Sequence, residues 1–287
     1  MVPPEHEPAA RGVQHNPREL GVNELVLNHF SLGRTHPIED RVRLAGAAGF
    51  AAIGLFIGQY MQLERDGFAP NGLRELLDEH GVCLAEIEVI PGLGANGTTP
   101  ERAAVMEDAA WRMADEFGCR YVQAIGPADL PIAEAGAAYG ALCDRAADHG
   151  LVVGLEFLPF TDIVTVHDAR RIVEAADRSN GGLCVDIWHH QRGANDLAAI
   201  AALPAELITG VQMSDGPLQP VNPDYYTDCL ENRVAPGDGE FDVRGFVDAI
   251  RGTGCTVPFA LEVCSAWGWQ HASEHVPRIA AGMRTFL

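Results

Sequence analysis

Short apolar runs alternate along this chain with longer stretches in which apolar residues recur every three or four positions, and a glycine marks most of the junctions. The glycines at 49, 81, 118, 150 and 254 each close a helical pattern and lead straight into a β-rich run. Glycine tolerates the left-handed conformation that ends a helix, so each of these positions predicts a helix stop followed by a strand. From Gly49 to Gly150 the successive spacings are 32, 37 and 32 residues, one strand, loop and helix per unit. Further units begin at Gly181–Gly182 and at Gly210. Eight strands are predicted, centred on Leu25–His29, Ala52–Phe56, Leu84–Ile90, Tyr121–Ile125, Val152–Phe157, Leu183–Ile187, Gly210–Met213 and Phe259–Val263. The segments between them have helical period. In Pro100–Phe117, for example, Ala103, Met106, Ala110, Met113 and Phe117 lie on one face, with proline in the first turn where its missing N–H is tolerated. Strands that alternate with helices and lack hairpin turns pair in parallel. Eight such units predict a closed (β/α)₈ TIM barrel as one domain over residues 21–287, with an open doubly wound sheet as the alternative. No GxGxxG follows the first strand, which weakens a dinucleotide-binding version of that alternative. Residues 1–20, rich in proline and charge, read as a flexible N-terminal arm.

Four apolar runs in the second half break their own pattern. VVGLEF carries Glu156, LCVDIW carries Asp186, GVQMSD carries Gln212 and FALEVC carries Glu262, each near the end of a predicted strand. A buried carboxylate costs several kcal/mol or more unless it is protonated, paired or metal-bound. Four exceptions at one end of a barrel suggest one shared cause, a divalent cation. All-oxygen ligation suits Mn²⁺ or Mg²⁺, with Co²⁺ also compatible and zinc less favoured. The competing structural reading is that these groups pair with basic side chains or backbone inside the barrel. The longest loop, about Ser214–Phe241, contains Tyr225, Tyr226 and Arg233 and is expected to cover the pocket. The aromatic residues Phe157, Phe160, Trp188, Trp267 and Trp269 are placed by the sequence at the same end, which suits a ring-shaped substrate.

Composition narrows the partners. A chain of 287 residues with 47% hydrophobic content and mean hydropathy near zero has material for a large core. Twenty basic against 40 acidic residues give a net charge of −20, which repels phosphate backbones and anionic membranes, so neither nucleic acid nor membrane is expected as a partner. Seven cysteines without a CxxC pair point to reduced thiols and a cytoplasmic location. A homodimer that closes each pocket near Tyr225 and Trp267 fits the apolar content there.

The segments GLEF, VDIWH, VQMSD, RVAPGDGEFD and the strand-eight LEV resemble the sugar phosphate isomerase/epimerase superfamily, the xylose-isomerase-like barrels, over roughly residues 22–287. That resemblance implies one metal held by Glu, Asp, His and Glu from the last four strands, with the two glutamates as acid and base. Glu156, Asp186 and Glu262 match, and Gln212 departs, since histidine is commonest there. Glutamine at that position is similar to the 3-dehydroshikimate dehydratase branch. The metal set is therefore Glu156, Asp186, Gln212 and Glu262, and the catalytic pair Glu156 and Glu262. His189, at the Asp-x-x-His spacing from Asp186, Arg233, His29, Glu88 and Trp188 are the expected substrate contacts, with Gln59 and Gln123 as further polar lining. The first expectation for activity is a metal-dependent isomerase or epimerase of a sugar-like ketose. The alternative is a lyase that dehydrates a cyclic polyhydroxy ketone such as 3-dehydroshikimate or an inosose, and a non-catalytic carbohydrate-binding barrel ranks below both. Apurinic endonucleases share the barrel, but the charge and the lack of strand-end histidines argue against that activity.

Overall fold

Eight parallel strands close into a barrel in sequence order, each paired with the next and the eighth with the first. They are β1 Leu25–Leu27, β2 Ala52–Phe56, β3 Cys83–Pro91, β4 Tyr121–Ile125, β5 Val152–Glu156, β6 Gly181–Asp186, β7 Ile208–Met213 and β8 Phe259–Leu261. The structure is a computed structural model that describes residues 19–93, 99–126 and 129–287. The expected N-terminal arm lies outside the described residues except for its last two. Each of the five helix-closing glycines has positive φ, from 65° at Gly81 and Gly150 to 88° at Gly254, as their position before a strand requires.

The strand bounds differ from expectation at functionally important ends. β1 stops at Leu27, and His29 opens a 3₁₀ turn, His29–Leu32, capped by the Asn28 side chain. β6 stops at Asp186, one residue before the predicted strand end, and its carboxylate accepts from Trp188 N at 2.7 Å and so caps the helix Ile187–Arg192. Gln59 lies in the helix Ile57–Arg65 and donates to His36 O, so it is not at a strand end.

Strand side chains alternate between two environments. Leu25, Leu27, Ile53, Leu55, Val153, Leu155, Leu183, Val185, Val211 and Leu261 face the helices and belong to the main apolar core. Their partners in the pleat point into the lumen, where Val26, Ala52 and Ala260 form a small separate apolar cluster. Above that cluster the lumen turns polar, with Asn28, Glu86, Glu88, Gln123, Glu156, Asp186, Gln212 and Glu262 all buried. Each fully buried aliphatic side chain of the outer layer contributes about 1.5–3 kcal/mol, so the outer layer holds the barrel closed around a lumen that contributes little apolar burial.

Candidate active site and metal centre

β5, β6, β7 and the residue after β8 deliver the four expected side chains to the C-terminal end of the lumen, where the ends of barrel strands carry chemistry. All four are buried. One terminal atom of the Gln212 amide faces Glu156 Oε1 at 2.9 Å and Glu262 Oε2 at 3.2 Å. The other lies 3.0 Å from Gln123 Oε1 and 3.0 Å from Asn28 Nδ2. Turned with nitrogen toward the acids, the amide would hydrogen-bond both carboxylates and accept from Asn28. Turned with nitrogen donating to Gln123, it aims its carbonyl oxygen at both carboxylates, an orientation in which the amide could serve as a neutral oxygen donor. Glu156 is itself steered by Gln123, whose Nε2 donates to Glu156 Oε2 at 2.6 Å.

His189 joins this cluster more closely than its expected role as a substrate contact required. Glu156, Asp186 and His189 each offer a ligand atom within 4.8 Å of the others. His189 Nε2 lies 3.4 Å from Glu156 Oε1 and 3.5 Å from Asp186 Oδ2, and its Nδ1 is 2.9 Å from the Tyr225 hydroxyl. Burial drives its pKa down to about 3, so the ring is neutral and retains a lone pair for a metal or a proton.

Arg233 is buried, not a surface residue, and its Nη1 donates to Asp186 Oδ2 at 2.7 Å and to Glu262 Oε2 at 3.2 Å. Its guanidinium lies over the Trp188 ring, 5.4 Å from the centroid, so Trp188 supports the arginine from a fully buried position. Burial works to raise the Asp186 pKa, but the Arg233 guanidinium beside it outweighs this and keeps the carboxylate ionised. Glu262 is pushed up to about 8 by burial, and Glu156 rises well above the ordinary range through burial and then the charges of Glu262 and Asp186. The Asp186 carboxylate and the Arg233 guanidinium balance each other's charge. A divalent ion would favour the ionised form of the two glutamates, and Glu156, Asp186 and His189 form a group able to hold one, with Gln212 and Glu262 beside it.

The remaining expected contacts divide. Glu88 is buried and already engaged, accepting from Asn28 Nδ2 at 2.9 Å and His29 N at 3.2 Å. His29 is buried with both ring nitrogens lacking partners, its ring against Phe30 and Phe56. Phe157 is buried, whereas Trp269 packs on Gly33 and Trp267 is 43% exposed and stacks on His271. The long loop covers the site as expected. It contains the helix Tyr225–Glu231, brings Tyr225 onto His189, and returns through a bridge between Asp215 and Val234. The Asp215 carboxylate accepts from Gly237 N, Gly239 N and Phe241 N at 2.9–3.1 Å. Sequence reasoning missed Asn28 and the closeness of His189 to the acids. Pleat alternation from Val26 would have pointed Asn28 into the lumen.

The chain matches the xylose isomerase-like TIM barrel family over residues 42–285. It is 30% identical over 247 residues to a 3-dehydroshikimate dehydratase of Pseudomonas aeruginosa, a match covering 81% of this chain and 37% of that protein. It is 27% identical over 124 residues to an inosose isomerase of Bacillus subtilis, covering 42% of this chain and 43% of that one. The chain thus spans about two fifths of the length of these curated relatives, both of which are enzymes. A crystal structure of the IOLI protein with a bound zinc atom superposes with a TM-score of 0.79 at 17% identity, covering 91% of this chain and 96% of that one. With the closed barrel in hand, the extent of the family match is sufficient: the chain belongs to the xylose isomerase-like TIM barrel family.

Proposed function

We propose that this chain is a divalent-metal-dependent lyase that removes water from a cyclic polyhydroxy ketone of the 3-dehydroshikimate kind. The observation that carries this reading is the buried group Glu156, Asp186 and His189, whose ligand atoms lie within 4.8 Å of one another, with the Gln212 amide and Glu262 beside it. The dehydratase relative supports the lyase over the isomerase, because it aligns with most of the chain whereas the inosose isomerase aligns with less than half. Isomerisation of an inosose or ketose is the second reading and shares the first step.

Glu156, Asp186, Gln212 and Glu262, with His189 beside them, would hold Mn²⁺, Mg²⁺ or Co²⁺. When bound, the ion supplies Lewis-acid stabilisation to the ketone oxygen and a neighbouring hydroxyl. Glu262 takes the proton from the carbon beside the carbonyl, and Glu156 on the other side of the cluster gives a proton to the departing hydroxyl. One C–H and one C–O bond break, a C=C bond forms, and water leaves. Arg233, with its N–H groups engaged by Asp186, Glu262, Cys229 and His189, holds Asp186 and Glu262 in place, while Tyr225 and the long loop exclude solvent.

The test is metal-stripped protein reloaded with each ion and given 3-dehydroshikimate or an inosose in heavy water. The expected result is metal-dependent loss of water from 3-dehydroshikimate, read by ultraviolet absorbance as the ring becomes aromatic. Glu262→Gln should lower turnover by about 10²–10⁴-fold with the circular dichroism spectrum unchanged. Full activity after exhaustive chelation would end the metal reading, and deuterium exchange without water loss would move the assignment to the isomerase.

A further inference from the structure

At the N-terminal end of the barrel, opposite the carboxylate cluster, lies a second cavity of about 590 Å³. Its walls are largely apolar, with Leu20, Val26, Ala85 and Val152 among them, and Glu86 and Tyr121 reach into it. Two glycines of the lumen set its upper boundary. A Cβ on Gly154 or Gly210 would collide with Tyr121 Oη, so those glycines let the phenol cross the lumen from β4 to β5 and β7. They lie two residues before Glu156 and Gln212, one pleat below the catalytic layer, and Tyr121 therefore separates the two chambers.

The hydrogen-bonding capacity of the lower chamber is only partly used, since Asn28 engages Glu86 from one side alone. Glu86 Oε2 is buried without a hydrogen-bond partner, and Tyr121 Oη has only the Cys184 thiol beside it. Burial pushes Glu86 up to about 8, so at neutral pH its carboxyl retains a proton and is a donor. The proposed reaction uses neither group. A volume in the range of small-molecule sites, apolar walls and a few convergent polar atoms are the features of a ligand pocket. Arg120 is the cation among the lining residues, set against the −20 charge of the whole chain, which disfavours an anion there. A flat neutral ring with an acceptor oxygen satisfies the walls and the acid together.

We propose that this lower chamber is a second binding site, separate from the catalytic face, for an uncharged ring-sized molecule whose carbonyl or amide oxygen accepts a hydrogen bond from Glu86. Cys83 gives it a built-in reporter, since it lines the chamber and is half-buried while the other six thiols are buried. The experiment uses benzamide as probe, benzoate as its charged counterpart, and the rate of Cys83 alkylation by N-ethylmaleimide mapped by mass spectrometry. Benzamide at twice its dissociation constant should slow alkylation by roughly threefold, the factor a competing ligand gives at that occupancy. Benzoate should give no protection, Glu86→Leu should abolish the benzamide effect, and Glu156→Gln should leave it intact, which separates this site from the catalytic one. Because Glu86→Leu could fail to fold, saturation-transfer NMR on wild-type protein supplies a second measure: the benzamide signal should vanish once Cys83 is alkylated. Absence of protection, equal protection by benzoate, protection surviving in folded Glu86→Leu, loss in Glu156→Gln, or a signal insensitive to alkylation would each overturn the proposal.

Discussion

The two faces of the same eight strands solve opposite problems. Outward, the sheet meets its helices through aliphatic side chains that are almost fully buried and make no demand beyond close packing. Inward, the same strands bury five acidic side chains, Glu86, Glu88, Glu156, Asp186 and Glu262, against one guanidinium inside the cluster, with the apolar share reduced to Val26, Ala52 and Ala260 among the described residues. Stability is concentrated outside the barrel wall, and the inside is free to hold charge that a packed core would reject. The comparison also explains why a family of such barrels can vary its lumen chemistry without losing the fold.

The largest expected effect comes from removing the internal cation. Arg233→Ala leaves Asp186 and Glu262 buried without their partner and should cost about 3–5 kcal/mol of stability in metal-free protein, measured by urea unfolding. If the loss is as small as for a surface pair, the lumen is wetter than its burial indicates and the contrast fails. Next, Leu155→Ala, which faces the helices one residue before Glu156, should cost about 2–5 kcal/mol while leaving KM unchanged. A large KM change there would show that the two faces are coupled. Third, Mn²⁺ at about a hundred times its dissociation constant should stabilise wild-type protein by about 2.7 kcal/mol. Gln212→Leu should reduce that gain, and an undiminished thermal shift in that variant would remove the amide from the metal site.

A further effect is a pH dependence. An unfolded glutamic acid titrates near 4.5, whereas burial first and the Glu262 charge second hold folded Glu86 up to about 8. The folded chain therefore binds more protons between those values, and its stability should fall as pH rises through that window. Glu86→Gln should flatten this part of the melting-temperature profile, and an identical slope would show that Glu86 meets water in the folded state.

Much of this was legible because local physics dictated it. A helix that must turn into a strand within one residue selects glycine with positive φ, so Gly49, Gly81, Gly118, Gly150 and Gly254 announce their units without any tertiary information. Acids at the ends of apolar strands stand out for a similar reason, which made Glu156, Asp186 and Glu262 visible. Arg233 and His189 are legible as types but not as neighbours, because the loop that carries Arg233 folds back over the strand ends by contacts distant in sequence. Glu86 was hidden for another reason. β3 shifts register against β2 between Ile53 and Gly54, so which of its residues face inward is set by pairing rather than by counting. The helix start at Asp186 was missed because a carboxylate read as a ligand also serves as a cap.

The carboxylate of Asp215 gives the covering loop two unlike halves. By gathering amides from 237, 239 and 241 it makes the returning chain a fixed jamb, continuous with the barrel wall. The outgoing half is tied elsewhere, to Arg192, which donates to the carbonyls of Pro217 and Leu218 and pairs with Asp228. Tyr225 rides on that outgoing half, so the hydrogen bonding of the histidine beside the acids hangs on a different anchor from the jamb.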